Sequence, residues 1–242
     1  MNPQIRAVIL KEFREFRRNR FVIGTMLVFP LVFLLIPIAN VLSINESTAE
    51  PAARAVVGGA LLMFFLTPLI LPTTLAGYAV IGERDQGTLE PLLTTPLTRE
   101  DLLLGKALAE LIPTVVIAYS MYVAFLVLVR VVAAPQVVDL VWRPPLIAAE
   151  VLSVPLLAAF AIWVGIAFST RSSDVRVAQQ LSGLAVLPLL GLMALVSFRV
   201  IGSGLAVPVG VAAVLIVLDV AGWRVVSMMF DRERLLTRYG RR

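Results

Sequence analysis

The sequence predicts an all-α integral membrane protein: six transmembrane helices, an N-terminal interfacial amphipathic helix and a short cytoplasmic helix between the second and third spans. Three observations predict it. The 242 residues are 59% hydrophobic and only 15% charged, with a mean hydropathy of +0.92, outside the range of a soluble globular domain. Six apolar stretches each reach about 20 residues, the length that crosses a bilayer core. The Lys and Arg residues fall mainly on alternate connections, as they do when positive loops stay in the cytoplasm.

The first twenty residues, "MNPQIRAVILKEFREFRRNR", set Ile5, Ile9, Phe13 and Phe16 at helical spacing, with Arg6, Lys11, Arg14 and Arg17 pointing elsewhere. That pattern predicts a basic amphipathic helix over residues 1–20, lying in the cytoplasmic interface with its rings in lipid. The rest, 21–242, forms the six-span domain and ends in a basic cytoplasmic tail, 231–242. The spans run approximately Phe21–Ser43, Val56–Ile81, Ala107–Val129, Pro145–Ser169, Val177–Phe198 and Leu205–Phe230. The first is too long for a signal-peptide core and lacks a small-x-small cleavage site behind it. The connections are short, which leaves no room for a soluble domain between spans, and no internal repeat is visible.

Orientation follows from the basic residues. One side carries six in the N-terminal segment, three in the second loop (Arg84, Arg99, Lys106), two in the fourth (Arg171, Arg176) and six at the C-terminus. The other side carries Arg54, Arg130, Arg143 and Arg199 alone. Both termini are therefore expected in the cytoplasm of a multi-pass plasma-membrane protein. The net charge of +5 and pI of about 10.2 follow from this scatter over helix ends. No nucleic-acid partner is expected, because the base is not gathered on one soluble face. With no Cys and no His, disulfides, thiolate or imidazole metal sites, and triads built on either residue are excluded. The formal glycosylation acceptor Asn45-Glu46-Ser47 sits in a very small loop.

The residues "ERDQGTLEPLLTTPLTREDLLLGK", 83–106, form a polar, turn-rich island. Gly87 supplies a turn, Thr88 a cap, and Leu89, Leu92 and Leu93 an apolar stripe on a helix over about 87–95. Pro91 suits its first turn, and Thr94 to Pro96 stop it. Thr98 with Asp101 then reads as a capping box, with Leu97 and Leu102 placed as a hydrophobic staple. A loop that only joined two spans would not need exposed leucines; an apolar stripe there needs lipid or protein to cover it.

This island resembles the cytoplasmic loop of the ABC-2 type (type V exporter fold) transporter permeases. The matching residues are Glu83, Gly87, Thr88, Leu89, Glu90, Leu92, Leu93 and Pro96, followed by Gly105 and Lys106. The amphipathic start, six spans and the basic tail with "RERLLTR" at Arg232 to Arg238 are also similar to that family. The resemblance implies that 87–95 is a coupling helix seated in a groove on a separate ABC ATPase subunit. It further implies a homodimer or heterodimer with a second permease chain, and ATP and Mg held on the ATPase rather than on this chain. No G-x-x-x-x-G-K-[ST] loop occurs in the sequence, so no P-loop nucleotide site is expected here and the chain is read as a permease, not an enzyme. The short fifth connection, Arg199 to Gly204, departs from members with large external elements before the last span.

Acidic residues within the spans are the other candidates. Asp219, mid-span in "AVLIVLDVAGW", and Glu150 in "PPLIAAEVLSVP" are candidate pathway residues, because an ionised carboxylate facing lipid costs several kcal/mol. Asp219 is expected to face the helix bundle. Glu110 is expected at the interface, snorkelling or paired. Gln179 and Gln180 either line a pathway or bond a neighbouring helix. Pro68 and Pro72 are expected to bend the second span, with Thr67, Thr73 and Thr74 meeting freed backbone groups. Two other classes fit the same composition: an ATP-independent secondary transporter or channel using Asp219 and Glu150, and an intramembrane scaffold. Co-purification of an ATPase separates the first reading from these.

Overall fold

The structure, a computed structural model, describes residues 2–45, 47–76, 81, 98–200 and 204–229. Among them lie eight helices and no strand: α1 Pro3–Arg18, α2 Arg20–Leu42, α3 Glu50–Ala76, α4 Arg99–Val132, α5 Pro135–Val141, α6 Pro144–Arg171, α7 Val175–Val200 and α8 Ala206–Met229. Six of them, all but α1 and α5, are long and apolar enough to cross a membrane.

Each start has a local cause. Pro3 opens α1 behind Asn2, whose side chain accepts from the Gln4 amide at 3.3 Å. A single residue, Asn19, ends α1 and caps α2 by accepting from the amides of Phe21 (3.0 Å) and Val22 (3.4 Å). Thr98 Oγ1 accepts from the Asp101 amide at 3.1 Å and donates to the Asp101 carboxylate at 2.6 Å, so the expected cap forms at the head of α4, with the Asp101 side chain held by the Thr98 hydroxyl instead of its amide. Asp174 accepts from the amides of Arg176 (2.7 Å) and Val177 (3.3 Å) at the start of α7.

The second span, α3, is the centre of the bundle. In its most apolar window 61% is buried, against 17% in α2 and in α8, which places those two at the periphery. Phe64 of α3 meets Tyr122 edge-on at 5.5 Å and Phe125 at 4.9 Å between ring centroids, fixing α3 against α4. The same core takes in Leu157 of α6, Met193 of α7 and Leu215 of α8. A second apolar cluster joins Val8, Ala76, Leu102, Leu103, Ala107, Ile162, Ile166 and Val226, so α1, α3, α4, α6 and α8 meet there. Helix α3 runs through both Pro68 and Pro72. Thr73 and Thr74 donate to the carbonyls of Ile70 (2.8 Å) and Leu71 (2.7 Å), while Thr67 turns to the Met121 sulfur at 3.8 Å.

The α4 helix begins at Arg99, directly behind the cap expected at Thr98 and eight positions before the apolar stretch, and α1 packs along its first turns. The N-terminal helix does not reserve its apolar stripe for lipid: Val8, Ile9 and Glu12 are its buried residues, while Phe13 and Phe16 are only partly covered. The connection between α4 and α6 contains α5, whose Val137, Val138, Leu140 and Val141 are buried, and Gln136 donates from its side chain to the Asn45 carbonyl in the connection between α2 and α3.

Candidate functional site

The island residues Glu83, Gly87, Thr88, Leu89, Glu90, Leu92, Leu93 and Pro96 lie outside the described residues, as does the tail 231–242. What is described is both edges of the island. On the α3 side Ile81 is fully buried, and its amide donates to Ser169 Oγ of α6 at 3.3 Å. On the other side Thr98 caps α4, and Leu102 and Leu103 directly behind it are fully buried. The chain therefore leaves one buried helix and enters another on either side of the island.

Gly105 and Lys106 fall inside α4, against α1. A Cβ at Gly105 would stand 2.7 Å from both Cβ and Cγ1 of Val8, so only glycine permits this approach. Lys106 Nζ donates to Glu12 Oε1 at 2.9 Å with its side chain 1% exposed. Lys11 adds contacts to Glu12 at 3.4 Å and to Glu15 at 3.2 Å. Burial alone would push the Glu12 carboxyl up, but the Lys106 and Lys11 ammonium groups outweigh it and hold the group below its ordinary value. Glu110, one turn beyond Lys106, is buried and lies within electrostatic reach of Glu12 and Lys106. It belongs to this cluster and does not reach out toward the interface.

Deeper in the bundle, Glu150 of α6 is fully buried, and neither of its oxygens has a hydrogen-bond partner among the described residues. The hydroxyl of Ser153, three residues on along α6, is in the same position. Across the seam, Tyr119 and Tyr122 of α4 lie within electrostatic range of Glu150, and Tyr119 Oη donates to the Val151 carbonyl at 2.7 Å. Asp219 sits on α8 in register with the buried Pro208, Ala212, Leu215 and Val226, a stripe that also contains Gly222, where a Cβ would approach the Trp163 side chain of α6 at 2.9 Å. Its two oxygens are buried without a hydrogen-bond partner among the described residues. The expectation that Asp219 faces protein thus agrees with the register of α8.

These two carboxylates are not one site. Gly222 lies against Trp163, so Asp219 stands near the level of Phe160, about 15 Å along α6 from Glu150 at 1.5 Å per residue. Among the described residues no group of three or more His, Cys, Asp or Glu is placed to hold a metal. Of the glutamines, Gln179 donates to the Thr74 carbonyl of α3 at 2.8 Å and so joins two helices, whereas Gln180 is exposed. Sequence reasoning missed Glu12. Its signal was a carboxylate exactly one helical turn after Val8, inside the apolar stripe.

Comparison with protein families matches residues 6–228, nearly the whole chain, to the ABC-2 family transporter proteins. The chain belongs to that family. A probable ABC transporter permease protein, NosY of Pseudomonas aeruginosa, is 34% identical over 108 residues, which cover 45% of this chain and 39% of NosY. The matched stretch is thus well under half of the relative's length, but it agrees with the family in kind: an ABC-2 permease, multi-pass and membrane-embedded. Five apolar helices around a sixth, the buried α3, are the architecture on which this ABC-2 chain builds.

Proposed function

We propose that the chain is the membrane-spanning subunit of an ATP-driven exporter, docking a separate cytoplasmic ATPase through the coupling helix at about 87–95 and pairing with a second permease chain. What supports this is the combination of family membership over residues 6–228 with an island whose two edges enter buried helices at Ile81 and Thr98. A segment tied to two packed spans can pass a displacement to both, whereas a loose linker absorbs it. ATP and Mg belong to the partner, since these 242 residues contain no P-loop sequence. Both termini and the island face the cytoplasm. The exposed apolar faces of α2 (Leu27, Leu31, Leu35) and α8 (Val209, Val217) suit lipid and a second chain.

Asp219, in the α6–α8 seam, is assigned to the pathway. Glu150, fully buried on α6 within electrostatic range of Tyr119 and Tyr122 of α4, is the second pathway candidate.

Docking is tested with Leu92→Arg and Thr98→Ala against the ABC ATPase that co-purifies with the parent chain. Leu92→Arg places an unpaired cation in the apolar contact and should release the ATPase, at a cost of several kcal/mol. Thr98→Ala removes only the α4 cap, about 1 kcal/mol, and should leave docking intact. Retention of the ATPase and of its stimulation by Leu92→Arg would sink the docking role.

A further inference from the structure

Gly105 and Lys106 close the motif that resembles the family's cytoplasmic loop, yet neither reaches the cytoplasm. Both are turned into the joint between α4 and α1. We propose that Glu12, Gly105 and Lys106 are positioning residues that lock the N-terminal helix to the cytoplasmic base of the third span, making α1 and the first turns of α4 one rigid unit that carries ATPase-driven movement. This rests on the docking reading above.

Three contacts at successive levels define the lock. Asn2 Nδ2 donates to Asp101 Oδ1 at 3.1 Å. Val8 occupies the space a side chain at Gly105 would need. Lys106 and Glu12 pair at 2.9 Å with the lysine enclosed. Among the described residues, the other charges around the pair are Lys11 and Glu15 from α1 and Glu110 from α4. A helix held only by lipid would keep such charges in water, and a lysine at a membrane edge ordinarily extends its stem to the surface. Here both partners lose water, and that desolvation is tolerable only while the geometry is held. The pair therefore penalises any slide of α1 along α4, which an apolar contact alone would not. Val8 also belongs to the cluster containing Ala76, Ile162, Ile166 and Val226, which Leu102, Leu103 and Ala107 of α4 share, so the α1–α4 unit packs as one against α3, α6 and α8. Movement of the island would pull the head of α4, and α1 with it, against three other spans.

The test uses the Cys-free chain assembled with its ATPase in vesicles, reading ATP hydrolysis relative to the ATPase alone. The double variant Glu12→Gln with Lys106→Met, made in a Glu110→Gln background so that no buried carboxylate loses its neighbouring cation, removes the lock. It should still bind the ATPase but lose the permease-dependent change in rate. Adding Asn2→Cys and Asp101→Cys, joined by a short bifunctional thiol reagent, should restore that change in the double variant. An unaltered response without the lock, or no recovery on bridging, overturns the proposal. Should the double variant fail to fold, Glu12→Lys with Lys106→Glu replaces it: recovery in the exchanged pair, against loss in either single exchange, supports the lock, and loss in all three overturns it. A wild-type chain that neither binds the ATPase nor changes its rate would defeat the docking reading first, a result visible before any variant is compared.

Discussion

The contact between α3 and α6 depends on a missing side chain, and Gly165→Ala tests it. A Cβ built at Gly165 would run into the Cβ of Ala76, with the Ala76 Cα at 3.4 Å and its carbonyl carbon at 3.6 Å behind it. Ala76 is fully buried and has no rotamer by which to turn away, so the two helices must separate. Two effects compete. Replacing glycine by alanine inside a helix gains about 0.5–1 kcal/mol, while forcing an extra methyl into a filled seam costs about 1–3 kcal/mol. The net expectation is a loss of roughly 0.5–2 kcal/mol.

Gly59 of α3 is the internal control, because a Cβ there meets nothing within 4 Å. Gly59→Ala should therefore keep only the helical gain and be neutral or slightly stabilising, up to about 1 kcal/mol. Both variants are compared with the parent chain by unfolding in mixed detergent micelles with increasing denaturing detergent, following helix content. The reasoning fails if Gly165→Ala is as stable as the parent, or if Gly59→Ala loses as much as Gly165→Ala.

Three further outcomes are expected. With single cysteines in intact cells and an impermeant thiol reagent, position 47 should label while 94 and 238 should not; the reverse pattern would invert the topology. Because Lys106 and Lys11 hold the Glu12 carboxyl below its ordinary value, its contribution to α1 attachment is full above the unfolded value and is lost as pH falls through the depressed folded one. Amide-exchange protection of residues 3–18 should hold from neutral pH down to the ordinary glutamate range and fall below it; Glu12→Gln should remove that step, and an identical step in Glu12→Gln would assign it to another group. Asp219→Leu should fold and be at least as stable as the parent, since it replaces a carboxylate that has no hydrogen-bond partner among the described residues. It should also alter ATPase stimulation in the assembled complex, and an unchanged rate would remove Asp219 from the mechanism.

The spans were legible because length and hydropathy alone decide them, and the structure returns six helices at those places. Their ends were less so, for identifiable reasons. α3 begins at Glu50, ahead of the apolar run at Val56, where Glu50 and Arg54 pair one turn apart at 2.6 Å and carry the helix into the polar layer. α4 begins at Arg99 because Thr98 caps it and α1 shelters Leu102 and Leu103. Hydropathy sees neither cause: one is a local ion pair, the other a tertiary contact. The stripe on α1 was read correctly as amphipathic, but periodicity names the face to be covered and not what covers it. α5 was missed for a related reason. Seven residues, Pro135–Val141, are too few to show a period, and their burial depends on helices that the sequence does not place beside them.

The charged groups within the bundle divide by what surrounds them, and that division bears on which of them move something. Glu12, Lys106 and Lys11 form one cluster in which opposite charges face each other between α1 and the head of α4; their desolvation is offset inside a single chain, which suits a fixed joint, while Glu110 beside them keeps one buried oxygen without a hydrogen-bond partner among the described residues. Glu150 and Asp219 have no such compensation among the described residues. Register explains where Asp219 points, since it shares the stripe of Ala212 and Leu215, but register would be served as well by a leucine. A carboxylate in that place costs several kcal/mol that packing does not return. Protonation would remove that cost with the seam closed; otherwise the compensation comes from water or from a group outside the described residues, and on the proposed function that group is what passes between α6 and α8.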